Sequence, residues 1–138
     1  MIEFRKLPGR MAFLRFPEQV VITDVSALGA EVSSHLQSVG GGAIYCVDCS
    51  RMKLFAPEVA EALVALMKSD NPLIDRTGVL VNGSATFGMQ VERMLREADN
   101  PRRRAFRDPQ ELADWLCDAA EADAVRELRT SLGLLDDE

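Results

Sequence analysis

Ala43 to Lys68 reads AIYCVDCSRMKLFAPEVAEALVALMK, and its parsing decides the fold. Ala43 to Val47 is a near-continuous apolar run, the pattern of a strand covered on both faces. A helix begins at Pro57, with Val59, Leu63, Leu66 and Met67 on one stripe. The connector between them is both apolar (Met52, Leu54, Phe55) and charged (Arg51, Lys53). In α/β folds the crevice at the carboxyl end of a strand, beside a helix N-terminus, is a place where partners and ligands dock.

Working outward, Ile2 to Leu7 and Met11 to Phe16 flank Pro8-Gly9, which predicts a β-hairpin. Thr23 or Asp24 is expected to cap a helix carrying Leu28, Val32, Leu36 and Val39, which Gly40-Gly41-Gly42 ends. After the Pro57 helix, Asn71-Pro72 breaks the pattern and Thr77 to Val81 reads as a second buried strand. Ser84 is the expected cap of a helix with Phe87, Val91, Met94 and Leu95. Arg104 to Phe106 forms a short strand. Asp108-Pro109 then starts a helix with Leu112, Trp115 and Leu116 inward. Ala122 to Leu132, with Val125, Leu128 and Leu132 at helical spacing, is a last helix, and Leu134-Leu135-Asp136-Asp137-Glu138 an acidic tail. The expected architecture is α/β: a mixed sheet with an N-terminal hairpin, parallel crossovers and an extra C-terminal helix. It forms one domain over 1–138, with a core of about 3–120 and the final helix and tail over 121–138.

A net charge of −6 argues against a nucleic-acid partner, which needs a basic face. No apolar run reaches membrane-spanning length and MIEFRKLPGR has no apolar signal core, so membrane insertion is not expected. Three cysteines without a disulfide framework make a reducing, cytoplasmic setting the default.

The element order resembles the STAS domain of anti-sigma-factor antagonists over roughly residues 3 to 120. Three stretches carry the resemblance: VDCSRMKLF after the central strand, the Pro57 helix, and RRRAFRDPQELADWL (Arg102 to Leu116), similar to the STAS-like branch related to lipid-binding domains. The resemblance implies a non-enzymatic regulator of bacterial signalling whose protein partner, of the anti-sigma or kinase kind, docks on Arg51, Lys53, Phe55, Pro57 and Glu58. The family's Asp-Ser-Ser-Gly is here Ala56-Pro57-Glu58-Val59, so no hydroxyl remains to be phosphorylated there. Glu58 then has two readings: a permanent mimic of the phosphorylated state, or an acid that favours the helix dipole. Ser50 and Ser84 are other candidate phosphorylation positions, and a homodimer is left open. The lipid-binding branch implies an alternative, a carrier of an apolar small molecule in a cavity lined by Phe87, Met94 and Trp115.

Other constellations are weaker. Cys46-Val47-Asp48-Cys49 has redox spacing, but residues three apart on a strand point to opposite faces, so two buried thiols are expected, with Cys49 nearer solvent. A metal site needs a second ligand pair, and only Cys117 and His35 remain; no metal or cofactor is expected. Asp48 ends a strand as in receiver domains, yet only Pro17-Glu18 and Arg107 stand where a receiver needs its acidic pair and lysine. A degenerate receiver is therefore a third reading, and a turn-capping Asp48 the preferred one. Asn82-Gly83-Ser84 reads as an N-cap rather than an anion loop, and His35 as a surface or half-buried residue. Arg102-Arg103-Arg104 with Arg107 is the one basic cluster, either a docking patch or a solvated strand edge. No convergent acid-base set marks a catalytic residue.

Overall fold

The computed structural model describes residues 1–134 of the chain; all of the expected tail but Leu134 lies outside them. Strands β1 (Glu3–Lys6) and β2 (Met11–Arg15) form the predicted antiparallel hairpin, turned at Gly9, whose φ of 70° suits glycine. Strands β3 (Ala43–Asp48), β4 (Ile74–Leu80) and β5 (Arg103–Phe106) continue the sheet in the order β1-β2-β3-β4-β5, with every pair from β2 onward parallel.

Helices α1 (Ile22–Val39), α2 (Pro57–Asp70) and α3 (Ala85–Ala98) serve as the three crossovers. All three lie on one face, as successive right-handed crossovers running in one direction require. Helices α4 (Pro109–Cys117) and α5 (Ala122–Ser131) return over the other face.

The strands' period of two sorts the side chains into two cores. Ala12, Leu14, Tyr45 and Val79 face α1–α3, whereas Met11, Phe13, Ile44 and Cys46 face α4–α5. Burying a side chain such as Phe13, which is wholly covered, contributes about 1.5–3 kcal/mol. Ser84 and Asp108 cap α3 and α4 as expected, accepting from the amides of Phe87 and Gln110.

Some boundaries differ from expectation. Helix α1 starts at Ile22, and Asp24 sits inside its first turn, its carboxylate accepting the Val21 N–H at 3.0 Å. Strand β4 begins at Ile74, straight after a 3₁₀ turn at Asn71–Leu73, because tertiary pairing with Ala43 and Ile44 extends it beyond its apolar run. In α5 the buried residues are Ala124 and Leu128, with Val125 half-buried.

Gly78 of β4 lets α4 approach the sheet: a Cβ there would sit 3.1 Å from Leu112 Cγ and 3.4 Å from Leu116 Cδ1. Gly78→Val therefore overpacks this contact and should destabilise the protein by about 1–3 kcal/mol in urea denaturation. Gly83→Ala, with open space around the added methyl, should stay within about 0.5 kcal/mol.

Candidate functional site

Because β2–β5 are parallel, their carboxyl ends share one edge of the sheet, where residues 16–21, 49–56, 81–84 and 107–108 connect strands to helices. The β3–α2 connector lies at its centre. Asp48 organises it: Oδ1 accepts the Ser50 N–H at 3.0 Å and the Ser50 hydroxyl at 2.6 Å, the turn-capping role expected from sequence. Its Oδ2 also accepts Arg15 Nε at 3.1 Å. The Arg15 guanidinium lies over the Phe13 ring, and its Nη2 donates to the Ser131 carbonyl at the end of α5.

Three further ties hold the connector. Asn82 donates from Nδ2 to the carbonyls of Ser50 and Met52, while its Oδ1 accepts the Ser84 N–H. Gln90 of α3 clamps Phe55 at both ends: Oε1 accepts the Phe55 N–H and Nε2 donates to the Phe55 carbonyl, each at 2.9 Å. Lys53 pairs with Glu18 at 2.7 Å, which holds the Glu18 carboxyl below its usual range and raises Lys53. Both are exposed, so this ion pair adds little stability.

Within this frame Arg51, Lys53, Pro57 and Glu58 are exposed at the surface expected for them, Glu58 in the first turn of α2. Phe55 is not. It is buried, 5.9 Å from the Phe16 ring and 5.7 Å from the Phe87 ring, and Met52 is buried with it. The connector's alternation turns Met52 and Phe55 inward and leaves Leu54, 53% exposed, as its outward apolar side chain. Val21 and Ile22, at the start of α1, are exposed at the same edge.

The apolar-cavity expectation is not met. Phe87 and Met94 lie on the α1–α3 side, whereas Trp115 lies on α4 across the sheet, so the three do not share a chamber. A cavity of about 90 Å³ exists under α1–α3, lined by Leu14, Tyr45, Leu63, Val79, Met94 and Arg103. It is smaller than the roughly 150 Å³ that admits a benzene ring.

The arginine run does not act as one cluster, because strand alternation splits it. Arg102 pairs with Asp75 at 2.6 Å. Arg103 is buried and donates to Asn71 Oδ1, Thr77 Oγ1 and the Met67 carbonyl. Desolvation lowers its pKa to about 10, with the nearby Asp70 carboxylate acting against that, so it stays charged at neutral pH. Arg104 stacks on Phe106 and Trp115 across the sheet, and Arg107 is exposed.

His35 is buried rather than at the surface: it falls on the Leu28–Val32 stripe of α1, with Nδ1 2.9 Å from the Tyr45 hydroxyl and the Phe4 ring edge-on. Cys46 and Cys49 belong to opposite cores, as predicted. Cys49 is buried too, and burial pushes both thiols well above the ordinary range. Among the described residues no three His, Cys, Asp or Glu side chains converge as metal ligands, and no helix is long and apolar enough to cross a membrane.

No protein-family model matches the sequence, and no curated protein matches it. A solved structure does: an uncharacterized protein of the DUF3478 family with a SpoIIAA-like fold, from Shewanella loihica PV-4. It aligns with a TM-score of 0.63 over 85% of this chain and 93% of that one, at 14% identity. The fold is SpoIIAA-like. The STAS resemblance is therefore correct in architecture, and at this identity the likeness carries the fold alone.

Two measurements check the geometry. Asp48→Ala leaves Arg15 Nε and the Ser50 amide without their acceptor and should cost about 1–3 kcal/mol, with faster proteolytic cleavage after Arg51 or Lys53. For His35, desolvation lowers the folded pKa below the ordinary 6.5, so the unfolded chain takes up its proton first. Its contribution is whole above that value and is lost as pH falls below it. Denaturation midpoints should therefore drop between pH 7 and pH 5.5, and His35→Gln, which keeps a hydrogen bond to Tyr45 within reach, should flatten that drop.

Proposed function

We propose that this protein is a non-catalytic regulator of bacterial signalling that works by binding another protein at the carboxyl-end surface of its sheet. The observation that carries the reading is Leu54: a large apolar side chain 53% exposed, on a connector whose backbone is fixed by Asp48, Asn82 and Gln90. A pre-ordered apolar side chain ringed by charge is what a binding surface needs, since little conformational entropy is lost on docking. Arg51, Lys53 and Glu58 supply the charged rim and would set specificity and encounter rate. Val21, Ile22 and Pro57 extend the patch.

The SpoIIAA-like fold supports an anti-sigma factor or a kinase-like regulator as the partner class. Glu58 stands where the resemblance places a phosphoacceptor, so the surface would be held in one charge state rather than switched. The small cavity under α1–α3 gives the carrier reading no comparable support.

The test is affinity capture from the native host with wild type and with the triple variant R51E/K53E/E58K. The expected result is a protein retained by wild type and lost from the variant, while the melting temperature falls by only a few degrees, the cost of reversing the exposed Lys53–Glu18 pair and the Glu58 charge at the start of α2. Equal capture by both proteins would overturn this surface as the docking place.

A further inference from the structure

Beside this surface an open groove of about 830 Å³ runs between α3 and the outer edge of β5. Gly88 and Ala105 keep its floor low: a Cβ at Gly88 would lie 3.7 Å from Arg107 Nη2, so the arginine passes directly over the helix backbone. Leu54 and Met89, the latter 72% exposed, give the groove apolar contacts. Its charge is lopsided. Arg93, Arg96 and Arg107 line it against Glu92, in a chain whose net charge is −6. Arg93 has an exposed partner in Glu97, whereas among the described residues Arg96 and Arg107 make no ion pair.

The groove also borders unpaired backbone. Strand β5 pairs with β4 alone. In a parallel ladder alternate residues bond to one neighbour: here the carbonyls of Arg102 and Phe106 accept from Thr77 and Val81. The amide and carbonyl groups of Ala105 therefore point the other way, along the groove. An edge of this kind is a template for an added strand.

We infer that the groove takes an extended acidic segment of a partner protein, paired along β5 as a sixth strand with acidic side chains on Arg96 and Arg107. A second copy of this chain is a poor occupant, because β5 (RRAF) carries two arginines and no acid and would bring a basic strand to a basic groove. A nucleic acid would use the arginines but neither the apolar floor nor the backbone edge. The inference rests on reading the protein as a recognition module, though not on the connector being the place.

The experiment is selection of random linear peptides of about ten residues, displayed on phage, against the immobilised full chain. The enriched peptides should alternate apolar with acidic residues. A synthetic copy should bind at least about tenfold more weakly to R96E/R107E, and equally so when its alternate amides are N-methylated. It should lose no more than about threefold on R51E/K53E, a long-range charge effect beside the shared Leu54, against the tenfold loss on R96E/R107E, and that difference separates the groove from the connector surface. No enrichment, enrichment without acids, or binding indifferent to both R96E/R107E and N-methylation would overturn the inference. So would dimerisation of the chain that R96E/R107E strengthens. Capture failing at the connector while the peptide still binds would sink the docking surface proposed above and leave the groove standing.

Discussion

The parallel ladder from β2 to β5 is the constraint on which everything else depends. Parallel strands cannot be joined by tight turns, so each crossover must leave at the carboxyl end, cross one face as a helix and re-enter at the amino end. That requirement places α1, α2 and α3 side by side and stacks their entry loops on a single edge. It also leaves the second face free for α4 and α5, whose close seating depends on a glycine in β4. The gathering of these connectors at one edge follows from chain direction, before any side chain is considered.

Side chains decide how firmly the edge is held. The β3–α2 connector is a loop in sequence, yet a buried carboxylate, an asparagine and a glutamine from three different elements fix it. Hydrogen bonds to backbone at both ends of Phe55 are satisfied inside the protein, so the connector cannot rearrange without leaving buried polar groups unmatched. Order in this loop comes from long-range partners rather than from its own turn propensity.

That division explains what could be read from the chain beforehand. The hairpin, three crossover helices, two caps and the opposed cysteines rest on period, turn residues and capping chemistry, all local signals. From sequence alone Phe55 reads as outward and His35 as near the surface, because burial in a connector or beside a stripe depends on what packs above it. For His35 a signal existed: it sits seven residues after Leu28, on the helix's inward face. For the ties that Arg15, Asn82 and Gln90 make to Asp48 and the connector none did, since those partners lie 30 or more residues away. The arginine run misled in a different way, because neighbours on a strand point to opposite sides and adjacency in sequence is separation in space.

The placement of Cys46 and Cys49 has an implication for where such a chain could work. The sheet itself stands between the two sulfur atoms, each in its own dry compartment. An oxidising milieu could not join them without opening the barrier that makes the fold, and a reducing one gains nothing by keeping them apart. This pair is insulated from the redox state around it, so its spacing is silent about the chain's address in the cell; the partly exposed Cys117 is the thiol that an oxidant can reach.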